Sequence, residues 1–168
     1  CTIRLVIMRI NKYLALCGVG SRRKVEEYVL NGNIKVNGKV VTVLSTDINP
    51  KSDKVMYLDK DVTLPSCYVY YKFNKPKGYI CSAKDEKGRK TIYDLVKVNN
   101  RVFSVGRLDY NSEGLLLLTN DGDFANKLTH PTNHIDKEYI VTIEGEITEG
   151  ELAVLRAGVV ENGNRMPS

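Results

Sequence analysis

The densest group of reactive side chains in this 168-residue chain lies in one stretch, Val105-Gly-Arg-Leu-Asp-Tyr-Asn-Ser-Glu-Gly-Leu-Leu-Leu-Leu-Thr-Asn-Asp-Gly122. A polar loop carrying Arg107, Asp109, Asn111 and Glu113 sits there between two apolar runs, an arrangement that offers side chains to a partner from a rigid frame. Three readings fit these residues. Asp109 and its neighbours can be turn formers, the ordinary use of Asp, Asn, Ser and Gly. Alternating oxygen donors ahead of Gly114 imitate the start of a calcium loop, but its twelfth position holds Asn120 where Glu is required, and four leucines fill most of the coordinating half. A carboxylate beside a cation such as Arg107, which keeps it ionised, can act as nucleophile or electrostatic stabiliser toward a sugar or base. Spacing alone does not raise this third reading above the turn.

Other chemistry is sparse. His130 and His134 are four apart, but Pro131 lies between them and no third ligand is near, so a surface loop is expected and no metal. Cys1, Cys17, Cys67 and Cys81 form neither a CxxC pair nor a secreted disulfide framework, which points to free thiols in a reducing cytosol. Residues 1–7 carry only Arg4 as charge and are too short for a secretory signal, so Met8 reads as the true start after a short extension. The longest aliphatic run, 115–118, falls far short of the roughly 18 residues of a membrane span, so no membrane partner is expected. A hydrophobic share of 42% is that of a globular chain.

The elements that must carry these groups fall into two sets that differ in charge. Residues 8–41 hold seven basic and two acidic side chains, whereas residues 42–168 hold 17 and 18, so most of the net +5 sits at the front. A concentrated positive module joined to a nearly neutral one suggests that the first holds a polyanion on which the second acts. Ile10, Tyr13, Leu14 and Cys17 make one helical stripe, which Gly18 and Gly20 end. Ser21 is suited to cap a second helix with Val25, Tyr28 and Val29 inward and Gly32 at its stop. Arg22 and Arg23 fall in its first turn, where cations oppose the helix dipole, and binding explains them better than local stability. Strands at 34–36 and 39–41 flank the hairpin turn Asn37-Gly38.

Leu64-Pro-Ser66 reads as a linker, giving domains at 8–63 and 68–168. In the second, strands are expected at 68–73, 79–82, 102–105, 115–119 and 137–144. A loop at 84–91 and helical pieces at 92–96, 123–128 and 148–157 complete it, so the fold class is α+β with a mainly antiparallel sheet.

Two resemblances sharpen this. Arg9-Ile-Asn-Lys-Tyr-Leu-Ala-Leu-Cys-Gly-Val-Gly-Ser-Arg-Arg-Lys24, continued by Gly32-Asn-Ile-Lys-Val-Asn-Gly-Lys-Val-Val41, resembles the small RNA-binding domain of the ribosomal protein S-four type. That likeness implies RNA contacts by Arg9, Lys12, Ser21, Arg22 and Arg23. Gly106-Arg-Leu-Asp109 with Ser112-Glu-Gly-Leu-Leu-Leu-Leu-Thr-Asn-Asp-Gly122 is similar to the signature of the bacterial ribosomal pseudouridine synthases, in the group of the small-subunit and B-type large-subunit enzymes. Asn74-Lys-Pro-Lys-Gly78 and Lys137-Glu-Tyr139 match two further motifs in order, and the likeness covers nearly all of residues 8–160.

The family breaks the glycosidic bond of a uridine, turns the base and rejoins it through carbon five, without metal or organic cofactor. The resemblance implies Asp109 as the catalytic carboxylate, acting as nucleophile or as the base that starts glycal formation. It implies Tyr139 stacked on the target uracil and aiding loss of the carbon-five proton, and Arg107 filling the gap left by the flipped nucleotide. Lys75 is expected on phosphate, with Pro76 and Gly78 structural. The partner implied is ribosomal RNA, large-subunit more than small-subunit, or an assembling particle, met by a monomer in the cytoplasm. A non-catalytic RNA-binding protein is the competing class. The family's later Gly-, Arg- and Asn-rich basic motif is not reached before Ser168, so a truncated chain is expected, retaining RNA binding with weak or no activity.

Overall fold

The computed structural model describes residues 6–82, 85, 87–158, 160, 161, 164 and 165. The chain divides into two compact units, one up to Ile135 and one from Asp136. The first unit begins with β1 (Met8–Arg9), α1 (Ile10–Leu16) and α2 (Arg22–Leu30), followed by β2 (Ile34–Val36), β3 (Lys39–Val40), β4 (Asp47–Ile48), β5 (Val55–Tyr57) and β6 (Lys60–Asp61). Strands β3-β2-β5-β6 form one antiparallel sheet, and β1 pairs with β4.

The helical stripe closes this core as its spacing requires. Ile10, Tyr13 and Leu14 of α1 and Val25 and Val29 of α2 are buried with Ile34, Ile48 and Val55, and Cys17 packs at the edge. Each fully buried aliphatic side chain is worth about 1.5–3 kcal/mol, so this cluster holds the helix pair to the sheet. Ser21 caps α2 by accepting from the Lys24 amide at 3.3 Å. Asn37 and Gly38 both take positive φ, the geometry a two-residue hairpin demands.

Also in the first unit, β7 (Tyr70–Lys75), β8 (Phe103–Val105) and β9 (Gly114–Thr119) make an antiparallel sheet in the order β7-β9-β8. Tyr71, Phe73 and Lys75 of β7 stand opposite Leu118, Leu116 and Gly114 of β9. That face packs on Ile92 and Val102, whereas Leu115, on the other face, is 69% exposed. Helix α3 (Gly122–Thr129) is capped by Asp121, whose side chain accepts from the Asp123 and Phe124 amides.

Three expectations change. Residues 79–82 contribute only an isolated bridge, Ile80 to Thr91, and the expected helix at 92–96 is a 3-10 turn, Ile92–Asp94. Part of the expected 84–91 loop lies outside the described residues. In the second unit, 137–144 forms no strand, because it finds no partner ladder among the described residues; Ile140 and Val141 are 96% and 76% exposed. Among its described residues that unit also holds α4 (Glu149–Arg156), closed by a Thr148–Glu151 capping box, and the pair β10 (Val160–Glu161) and β11 (Asn164–Arg165).

Candidate functional site

Asp109 stands exposed on the connection from β8 to β9, and the backbone beneath it is held at three places. Lys75 Nζ donates to the carbonyls of Asp109 at 2.8 Å and Ser112 at 2.7 Å. The Gly78 amide donates to the Tyr110 carbonyl at 2.8 Å. Cys81 Sγ receives the Leu108 amide at 3.4 Å and reaches the Leu108 carbonyl at 3.3 Å. The connection leaves and rejoins the sheet at Gly106 and Gly114, whose φ of +77° and +127° side-chain-bearing residues rarely adopt. The result is a carboxylate in solvent on an immobilised main chain, the form a preorganised reactive group takes.

Lys75 is not where the sequence put it. The period-two alternation of β7 sends Tyr71, Phe73 and Lys75 to the packed face, and Lys75 is wholly buried. Its third donor goes to the Pro76 carbonyl at 3.2 Å. An ammonium has three donors, all now engaged by main-chain oxygens, so a buried cation secures the loop where a phosphate contact was expected.

Arg107 is exposed and has no ion pair among the described residues. Nearby, Lys77 lies 3.9 Å from Glu113, and Arg89 grips Asp85 at 2.8 Å and 3.1 Å, which holds that carboxyl at about 2. Tyr139 belongs to the second unit, where the residue is 63% exposed. No group of three or more His, Cys, Asp or Glu among the described residues could hold a metal ion, and no described helix is long and apolar enough to cross a membrane.

The expected RNA contacts separate by whether they are already paired. Arg9 binds the Ser45 carbonyl and lies 3.2 Å from Asp47, and Lys12 is 2.9 Å from Asp123. Ser21 is committed to its cap. Arg22 and Arg23 are exposed and have no ion pair among the described residues, two cations side by side at the start of α2. Sequence reasoning missed the anchoring roles of Lys75 and Cys81. The alternation Tyr71-x-Phe73-x-Lys75 held a signal for the first; a lone cysteine between strand-like residues gave none for the second.

Comparison with known proteins returns two family profiles, the S4 domain over residues 8–54 and RNA pseudouridylate synthase over residues 69–164. An uncharacterized RNA pseudouridine synthase of Aquifex aeolicus is 43% identical over 163 residues, covering 95% of this chain and 65% of that protein. The ribosomal large subunit pseudouridine synthase B of Bacillus subtilis is 44% identical over 162 residues, covering 95% and 66%. A crystal structure of a pseudouridylate synthase superposes with a TM-score of 0.59 at 30% identity, covering 95% of this chain and 69% of the other. The chain thus spans about two thirds of the length of these curated relatives.

Proposed function

Since the chain belongs to the RNA pseudouridylate synthase family and carries an S4 domain ahead of that region, we propose that its protein converts a specific uridine of ribosomal RNA, in the large subunit, to pseudouridine. The observation that carries the reading is Asp109, a solvent-facing carboxylate on a main chain pinned by Lys75, Gly78 and Cys81. The reaction breaks the bond between uracil N1 and sugar carbon one and forms a bond from carbon five to the same carbon. The carbon-five proton leaves and N1 gains one, so atoms balance with no oxidant.

Asp109 is the reacting carboxylate, as nucleophile or as the base that begins glycal formation. Tyr139 stacks on the uracil and assists loss of the carbon-five proton, and Arg107 fills the space the flipped nucleotide leaves. Arg9, Lys12, Ser21, Arg22 and Arg23 face the RNA, with Arg22 and Arg23, which have no ion pair among the described residues, supplying most of the phosphate attraction. Residues 8–63 act as the RNA-holding domain and 68–168 as the catalytic one, in a monomer working in the cytoplasm on RNA or an assembling particle.

The test is tritium release from ribosomal RNA labelled at uridine carbon five, comparing the full-length gene product with its Asp109→Asn form. Release that vanishes in the variant while RNA affinity is unchanged supports the reading. Equal release from both would remove Asp109 from the chemistry. Binding with no release from any ribosomal substrate would leave a silent RNA-binding protein.

A further inference from the structure

Within the first unit a cleft of about 620 Å³ opens between α1, the start of α2, β8 and α3. Its wall includes Lys12 and Arg22 from the helix pair and Tyr68, Arg101, Phe103 and Asn126 from the sheet side. The two sides approach closely: a Cβ placed on Gly18 would stand 3.9 Å from the Arg101 Cβ. Lys12 spans the cleft to Asp123, at 2.9 Å and 3.2 Å from the two carboxylate oxygens, so the acid on the wall is neutralised from within.

What remains uncompensated is cationic. Arg22 and Arg101 are exposed and have no ion pair among the described residues. Tyr68 and Phe103 are half-buried; the ring pairs of the described residues join Tyr70 to Phe124 and Tyr28 to Tyr57, and leave both without a partner. Asn126 presents an exposed amide that can both donate and accept. Guanidinium groups beside unstacked aromatic faces and a free amide are what single-stranded nucleic acid requires: phosphate charge, a stacking surface and an edge reader. The volume suits a ligand of nucleotide size.

We propose that this cleft binds a single-stranded segment of the RNA, with Arg22 and Arg101 on its phosphates and a base against Phe103 or Tyr68. The inference rests on the RNA-directed reading above and adds a place for the strand that Asp109 does not supply and that extends the S4-type contacts, through Arg22, to Arg101 and the aromatic rings on the sheet side. Arg101 has no counterpart among the residues expected from sequence, and it ties recognition to the sheet-bearing part of the chain.

The test uses the 168-residue chain, a stem-loop RNA carrying a single-stranded tail of about six uridines, and the same stem-loop without it. Removing the tail should weaken binding by about tenfold, the worth of one stacked base with a phosphate contact. Arg101→Gln, an exposed substitution whose thermal unfolding should match the parent's, should lose that factor on the tailed RNA and nothing on the blunt one. A photoreactive 5-iodouridine in the tail should cross-link to Phe103 or Tyr68. Stem-loop binding in which the tail contributes nothing, or Arg101→Gln weakening both RNAs alike, would overturn the cleft alone. Failure of the chain to bind either RNA would overturn the RNA-directed reading with it.

Discussion

Lys75 Nζ lies 2.8 Å from the carbonyl oxygen of Asp109, so the buried ammonium at the end of β7 and the exposed carboxylate above it share one stretch of main chain. This is positioning through the backbone: the lysine touches the carbonyl of Asp109 and leaves its carboxylate to solvent. A buried cation is tolerated because its three donors meet the carbonyls of Pro76, Asp109 and Ser112.

Replacing Lys75 by Met keeps the stem and removes the donors, leaving those three carbonyls without their partner. We expect a loss of about 2–4 kcal/mol in urea unfolding, since hydrogen bonds from a charged donor count for more than neutral ones. Activity of the full-length protein should fall by more than the unfolded fraction explains, because the loop under Asp109 relaxes. Phosphate-dependent RNA affinity should stay unchanged, and a weakened affinity with a shallower salt dependence would restore the phosphate-contact role to Lys75.

Cys81 is the companion anchor. Cys81→Ala removes both contacts with the Leu108 main chain, at a cost of about 1 kcal/mol, whereas Cys81→Ser keeps a donor and an acceptor at a shorter reach. Hydrogen exchange at the Leu108 amide should rise in the alanine form and rise less in the serine form. Equal exchange in all three would show that the sulfur does not hold the loop.

The helix pair was legible because its signals are local: the Ile10, Tyr13, Leu14 spacing, the Ser21 cap and Asn37-Gly38 each act within a few residues. Strand β5 with its turn was not. Leu58 and Asp59 both take positive φ with no glycine to announce it, so the hairpin is imposed by pairing with β2 and β6. Residues 137–144 show the reverse error, where β-branched and aromatic composition promised a strand that needs a partner no composition supplies. At the site, the polar loop between two strands that carries Asp109 was legible; the clamp beneath it depends on Lys75 contacts across more than thirty positions of chain, which only the fold brings together.

Burial pushes the Cys17 thiol from 9.0 up to about 12, and raises the Tyr13 phenol beside it, while Cys67 is exposed. A thiolate is the alkylated species, so at pH 8 iodoacetamide should label Cys67 rapidly and Cys17 slower by about a thousandfold or more. Because the folded state raises the thiol, its contribution to stability is intact below pH 9 and disappears as pH climbs from 9.0 toward about 12. Unfolding midpoints in urea should therefore fall over that interval, and Cys17→Ala should flatten the decline. A midpoint independent of pH across it would contradict a half-buried thiol held neutral.

Asp123 holds Lys12 at 2.9 Å, with the carboxylate side chain 71% exposed. An ion pair so open to solvent contributes about 0–1 kcal/mol, so Asp123→Asn should leave the unfolding midpoint nearly unchanged. For RNA the same substitution matters more. It frees the Lys12 ammonium and takes a negative charge from the wall that also carries Arg22 and Arg101. Affinity for RNA should rise by about threefold at low salt, and the slope of log affinity against log salt should steepen by up to about one contact. The gain should vanish in the Asp123→Asn, Lys12→Gln double variant, because the freed charge is its source. Steady-state titrations at several salt concentrations measure both quantities, and a weaker, equally salt-dependent affinity for Asp123→Asn would mean that the pair is needed to shape the cleft.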